Sequence, residues 1–345
     1  MVERKKAAAD PLVLRDAVEG ASPRRTKARS DTGPLPIEVG LTAAIVAVRG
    51  DEPLILTARG PATALPSGPF NPLDHRTFES NLRAWVAEQT GAPLGYVEQL
   101  YTFGDRGRHA LAGDRDPHVV SVGYLALTRV SAEPREAQAG FRPWYQFFPW
   151  EDWRAARPRI LDEVILPRLG DWVAADAGDE AERPRRERVR LLFGLDGARF
   201  DEENVLERYE LLYSAGLVDE ARRDGREAAR GWGDLPPLGL AMQHDHRRIL
   251  ATAMGRLRAK LKYRPVIFEL MPATFTLTAL QRTVEAISGR HLHKQNFRRL
   301  VETSAVVEPT GQTSHVTGGR PAALFRFKKE ILPERQAKGL RVGLR

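Results

Sequence analysis

One stretch near the C-terminus, Phe275 to Phe327, constrains the fold more than any other part of the chain. Leu277, Leu280, Val284 and Ile287 recur at steps of three and four, which predicts a helix that starts at a Thr276 or Thr278 cap and stops at Gly289. A second helix buries Phe297, Leu300 and Val301 and turns His293, Lys294, Asn296, Arg298 and, at its edge, Arg299 away from that core. A strand at Ala305 to Glu308, a Thr/Gly-rich loop from Gly311 to Arg320 and a returning strand at Ala322 to Phe327 complete the stretch.

Two short helices joined by a Ser-Gly turn and followed by two strands around a flexible loop describe a winged helix-turn-helix. Its expected DNA-binding residues are Thr276, Thr278, His293, Lys294, Gln295, Asn296, Arg298, Arg299 and, in the wing, Arg320. Arg and Lys suit guanine or the backbone, Asn and Gln suit adenine, and a wing arginine reaches the backbone or the minor groove. A charged outer face is ordinarily only a solvated face. Here Arg290, Lys294, Arg298, Arg299, Arg320, Arg326, Lys328 and Lys329 stand against Glu302 and Glu308 alone, and duplex DNA is the better account. One short recognition helix reads few base pairs, so a homodimer on a palindromic operator is expected.

The 345 residues suffice for two or three domains with real cores, and 53 basic against 45 acidic residues leave a charge of +8 that suits a polyanion without demanding one. The absence of cysteine excludes a disulfide framework, a thiolate metal site and a thiol nucleophile. No apolar run is long enough to cross a bilayer and no signal-peptide core is present, so the cytoplasm is the expected location and no membrane partner is foreseen.

Residues 1–36 read as a disordered basic arm and residues 331–345 as a basic tail. At Ile37 two β-rich runs begin, Val39 to Arg49 and Pro53 to Arg59, split by Gly50-Asp51-Glu52 as in a hairpin. A Pro-Ser-Gly loop at Pro66 to Gly68 and a helix with Phe78, Leu82, Trp85 and Val86 on one side, ending at Gly91, come next. Strands at Glu98 to Asp105 and Val119 to Leu127 follow.

Beyond Ala132 the text turns helical. Phe141 to Trp153 is dense in aromatic residues and suits a core seam, with a partner groove or nucleotide stack as the other reading. Helices are expected at Ile160 to Ala175, Glu203 to Gly216 and, mostly solvated, Ala221 to Arg230, with Asp176 to Arg188 as a charged linker. A long helix at Asp245 to Lys262 links the halves, and Arg264 to Leu270 reads as a short strand. His244 and His246, two apart, do not share a helix face, so no metal site is expected there.

The order of strands, Pro-Ser-Gly loop, helix ending in Thr-Gly and strands resembles the Nudix fold. That family places glutamates on the loop and helix to bind the divalent cations of nucleoside-diphosphate hydrolysis. Counting back from Gly91, its Arg-Glu falls on Ala84 and Trp85 and its Glu-Glu on Glu88 and Gln89, so Glu88 alone remains. No catalytic residue, metal or cofactor is therefore expected, and the alternative is an active Nudix hydrolase acting on a nucleoside diphosphate derivative.

The tail motifs Leu257 to Tyr263, Phe268 to Pro272, Phe275-Thr-Leu277, Asn296 to Arg299 and Gly319-Arg-Pro321, joined to such a domain, resemble the Nudix-related transcriptional regulators of NAD metabolism, the NrtR/NadQ type. The resemblance implies an α/β (α+β) chain. Its Nudix-like effector domain spans 37–262, with core 37–131, helical insertion about 132–234 and linking helix 245–262, and a winged helix-turn-helix spans 263–330. It also implies repression of NAD-biosynthesis genes through double-stranded operator DNA, with NAD, ADP-ribose or ATP as effector. A pyrophosphate pocket without metal ligands needs cations, and the expected effector residues are Arg59, Phe103, Asp105, Arg106 and Arg108.

Overall fold

The computed structural model describes residues 36–58, 60, 62–90, 94–105, 117–129, 139–175, 179–314 and 321–328. Its centre is a sheet in the order β4-β5-β1-β2-β6, formed by β1 (Ile37–Arg49), β2 (Glu52–Ala58), β4 (Val97–Phe103), β5 (His118–Leu127) and β6 (Ala139–Pro143). A short β3 (Ser67–Pro69) pairs with β1 off that path. The hairpin expected at Gly50 is present, with Arg49 opposite Glu52 and Gly50 at a φ of 67°. β1 and β5 run parallel from Ile37↔His118 to Val46↔Leu127. Both are buried on two faces through their middles, which is why they read as unbroken apolar runs.

The pleat of β1 sorts its side chains between two cores. Leu41, Ala43 and Ile45 face Leu82 and Val86 of helix α1 (Phe78–Thr90). Ala44 and Val46 face the other way and join a core that continues through the helical segment to α7 (His246–Tyr263), α8 (Leu277–Ser288) and α9 (Lys294–Ser304). The aromatic run supplies the middle of that core: Trp144, Phe147, Phe148 and Trp150 are fully buried. Among the described residues no helix is long and apolar enough to cross a membrane.

The helical segment departs from the sequence reading in three places. The expected linker 176–188 is instead largely helix, α3 (Asp179–Phe193), because Glu182/Arg186 and Glu187/Arg190 pair along it and Val189, Leu192 and Phe193 pack inward despite Pro184. The single solvated helix expected at Ala221 to Arg230 is two short ones, α5 (Asp219–Arg223) and α6 (Glu227–Arg230), divided at Gly225 with a φ of 69°. Glu220 and Ala221 are buried there, Glu220 meeting Arg247 at 3.1 Å. The expected strand at Arg264 to Leu270 is a 3-10 turn over Val266–Leu270. Val266, Ile267, Phe268 and Leu270 are all buried there, and the Phe268 amide donates to the Pro265 carbonyl at 3.2 Å, closing the turn locally where a strand would need a partner strand. The helix expected at Ile160 to Ala175 forms as a π turn (Leu161–Ile165) running into α2 (Leu166–Ala174), and α4 (Val205–Ser214) lies where the next was expected.

A buried ionic cluster ties these parts together. The Glu151 carboxylate accepts from Arg208 Nε at 2.6 Å and Nη2 at 2.9 Å, and from Arg258 Nη1 at 2.7 Å, with all three side chains at most 1% exposed. The surplus positive charge is spread over carbonyls: Arg208 donates to Leu192 and Asp201, Arg258 to Glu202 and, at 3.0 Å, to Ile287 at the end of α8. Gly289 then turns the chain at a φ of 73°, and a Cβ there would stand 2.5 Å from the Glu151 carbonyl oxygen. Burial alone would raise the Glu151 carboxyl, but Arg208 and Arg258 outweigh it and hold it below its ordinary value.

Replacing Glu151 by Ala strands two buried guanidinium groups, and a loss of about 3–5 kcal/mol is expected in denaturant unfolding. Because the folded carboxyl sits below its unfolded value, its contribution is complete above the ordinary carboxylate range and disappears as the pH falls through and below it. Wild type therefore loses more stability than Glu151→Gln on acidification, and parallel pH–stability curves for the two would refute the assignment.

Candidate functional site

The C-terminal helices follow the sequence reading closely. Thr276 caps α8, its hydroxyl accepting from the Ala279 amide at 3.1 Å, and Gly289 ends it in the left-handed conformation. Leu280, Val284 and Ile287 of α8 and Phe297 and Val301 of α9 are buried. Strand β7 (Val307–Ser314) pairs with β8 (Ala322–Phe327), and Phe275 bonds Phe325 through both backbone groups. β7 starts later than the expected Ala305 because Ala305 takes a φ of 53° as the cap of α9. It also runs further, to Ser314, accommodating Pro309 at a register shift.

His293, Lys294, Gln295, Asn296, Arg298 and Arg299 are all exposed on one helix and its approach. Among the described residues no carboxylate lies within ion-pair distance of Lys294, Arg298 or Arg299, which leaves three cations for phosphates or base edges. Thr278 is exposed, whereas the Thr276 hydroxyl is engaged as the cap. Arg320 lies outside the described residues. Arg290, counted with the basic face from sequence, is half-buried between Trp153 and Phe200, and Arg326 is paired with Glu308 at 2.7 Å.

The second candidate region is a cavity of about 570 Å³ between the start of α1 and the sheet, lined by Phe70, Arg76, Phe78, Gln99 and Tyr124 among others. Thr77 caps α1, its Oγ accepting from the Ser80 amide at 3.1 Å, so Arg76 stands at the positive end of a helix. Phe70 and Phe78 meet edge to face at 4.5 Å. Burial, with the charge of the Glu79 carboxylate that also lines the cavity, pushes the Tyr124 phenol above its ordinary value, so it stays a neutral donor. The cavity thus offers aromatic surface, a neutral hydroxyl, a guanidinium and the Glu79 carboxylate, which pairs with Arg83 at 2.9 Å.

Of the effector residues expected from sequence, Arg59, Arg106 and Arg108 lie outside the described residues. Phe103 and Asp105 are on the other face of the sheet, against α7. Phe103 is 4% exposed beneath the Arg248 guanidinium, and Asp105 pairs with Arg248 at 2.6 Å. Arg76, Gln99 and Tyr124 share no local sequence signal, and only the fold brings them together. Trp85, at one of the counted box positions, packs over Gly68, where a Cβ would meet its indole ring, and the nearby Glu79 is held by Arg83 at 2.9 Å. His246 accepts from the Leu65 amide at 3.0 Å and anchors the start of α7.

These parts define a class: a mixed α/β chain, a sheet packed with helices, carrying a C-terminal winged helix. Residues 267–327 match the family model of the NrtR DNA-binding winged helix domain, and the C-terminal module is of that type. Over 90 residues the chain is 46% identical to the ADPR responsive transcriptional repressor NtrR of Acinetobacter baylyi, a match covering 26% of this chain and 36% of that repressor's length. Among solved structures it is similar to Shewanella oneidensis NrtR complexed with a 27mer DNA, at 19% identity and a TM-score of 0.48 over 84% of this chain and 93% of that one. It is also similar to a MutT/nudix family protein of Enterococcus faecalis, at 16% identity and a TM-score of 0.46 over 86% and 89%.

A base-reading role for α9 separates its residues by effect. Arg298→Ala or Asn296→Ala is expected to relax preference among duplexes at a cost of about 1–3 kcal/mol, whereas Lys294→Ala lowers affinity for all sequences and flattens the salt dependence. Equilibrium binding to preferred and scrambled duplexes at several salt concentrations checks both.

Proposed function

We propose that this protein is a DNA-binding transcriptional repressor of the NrtR type whose Nudix-like domain senses an adenine nucleotide. The observation that carries it is the exposed row Lys294, Arg298 and Arg299, without a carboxylate partner among the described residues, on the second helix of a module that matches the NrtR winged helix. A homodimer on a palindromic operator within NAD-biosynthesis genes is the expected working form, in the cytoplasm. The relative's description as ADPR responsive favours ADP-ribose over NAD or ATP.

The cavity at Arg76 is the proposed effector site. Its rings suit an adenine or ribose face, and Arg76 at the α1 N-terminus suits a pyrophosphate. Helix α7 is the proposed route from sensor to reader. Near its start Arg248 holds Asp105 and, at 2.8 Å, Glu210 of α4; near its end Arg258 holds the last turn of α8. A ligand acts through this route only if it binds the DNA-competent and DNA-incompetent arrangements unequally, and DNA must then shift ligand affinity by the same factor.

Calorimetry with NAD, ADP-ribose and ATP, repeated with operator present, tests both steps. One of the three is expected to bind and to change operator affinity, and Arg76→Ala to weaken that binding about tenfold or more. Binding by none, or binding without effect on DNA, defeats the sensor. No hydrolysis of ADP-ribose or NAD with Mg²⁺ is expected, since the box retains Glu88 without its partners. Turnover of about 1 per second or more would make the chain a Nudix hydrolase instead.

A further inference from the structure

Recognition helix α9 begins without a side-chain cap: His293 occupies the N-cap position and makes no capping bond. A helix that must present Asn296 and Arg298 at one angle takes its orientation from elsewhere. Leu292, the residue before the cap, is gripped by α8 on both of its backbone polar groups. Its N–H donates to Glu285 Oε1 at 2.8 Å, and its carbonyl accepts from Gln281 Nε2 at 2.7 Å. Gln281 Nε2 also donates to Glu285 Oε1 at 2.9 Å, and His291 Nδ1 lies 3.2 Å from the same oxygen. One carboxylate oxygen, four residues before the turning Gly289, gathers the whole connection between the two helices.

We infer that Glu285, assisted by Gln281, is a positioning residue for DNA reading, fixing the angle at which α9 leaves the turn. This rests on the DNA-binding reading proposed above. Glu285 is not a base contact: its side chain is 14% exposed, and Gln281 is 9% exposed. Nor is it neutral toward DNA, because a carboxylate repels phosphates. If proximity were its only influence, removing it would raise affinity for every sequence. A positioning role has the opposite sign on a preferred sequence, since base contacts are lost when the helix tilts while phosphate contacts tolerate the tilt. Glu285 also borders the cleft that Asp51 and Glu52 of the β1–β2 turn share with Arg154, which sets the clamp beside the sheet domain.

The test uses the full chain. Wild type selects a preferred duplex from a random-sequence pool. Affinities for that duplex and a scrambled one are then measured for wild type, Glu285→Ala and Glu285→Gln, with amide exchange at Leu292 followed without DNA. Glu285→Ala is expected to lose about tenfold or more on the selected duplex, the scale of a charge-assisted hydrogen bond. Its affinity for the scrambled duplex stays level or rises, and the Leu292 amide exchanges faster. Glu285→Gln keeps an acceptor oxygen and restores most of the preference. Equal losses on both duplexes, or intact preference in Glu285→Ala despite fast Leu292 exchange, overturn the positioning role. A wild type that selects no duplex, with Leu292 exchange still responding, overturns the DNA-binding reading itself.

Discussion

A buried carboxylate between two guanidinium groups is the interaction on which the rest of this structure depends. Glu151 comes from the aromatic run, Arg208 from α4 and Arg258 from α7, and the hydrogen bonds radiating from them end on backbone far apart in sequence. Such a cluster is weak as a source of net stability, because desolvating three charges offsets much of their attraction. Its effect is on arrangement. In this packing the named guanidinium donors end on the Glu151 carboxylate and on carbonyls of Leu192, Asp201, Glu202 and Ile287, which ties the helical segment to α7 and α8.

The same cluster explains why the winged helix and the sheet domain share a core. Arg258 reaches the Ile287 carbonyl, Tyr145 donates to the Ala286 carbonyl at 2.8 Å, and the Trp153 amide donates to the Gly289 carbonyl at 2.7 Å. Three bonds thus converge on the end of α8, the element from which α9 hangs. A second ionic node, Arg247 with Glu220 and the Phe147 carbonyl, fixes the start of α7 in the same manner. α7 is therefore anchored at both ends by charges that cannot be re-solvated cheaply, a construction that transmits displacement rather than absorbing it.

Function divides across this scaffold. The exposed face of α9 carries cations without carboxylate partners among the described residues, while the cations that sequence alone would add to it, Arg290 and Arg326, are occupied by Trp153, Phe200 and Glu308. The cavity at Arg76 lies on the α1 face of the sheet, and the Phe103–Asp105 corner lies on the α7 face. A ligand on one face would reach α7 through the strands β4 and β5 that carry both Tyr124 and Phe103.

What the sequence determined by itself is whatever depends on neighbours a few residues apart. The Thr276 cap, the stripe Leu280, Val284 and Ile287, the glycine stop at Gly289, the apolar strands β1 and β5 and the hairpin at Gly50 follow from local periodicity and backbone preference, and all are present. Tertiary structure decided what depends on distant partners. Glu151, one acidic residue in an aromatic run, became the hub of the core because two arginines 57 and 107 residues away point at it. Asp179–Phe193 became helix because Val189, Leu192 and Phe193 had a surface to cover, and Val266–Leu270 became a 3-10 turn that packs Val266, Ile267, Phe268 and Leu270 into the shared core. The cavity at Arg76 was out of reach of sequence for the same reason. Arg76, Gln99 and Tyr124 carry no common local pattern, and long-range strand pairing alone makes them neighbours.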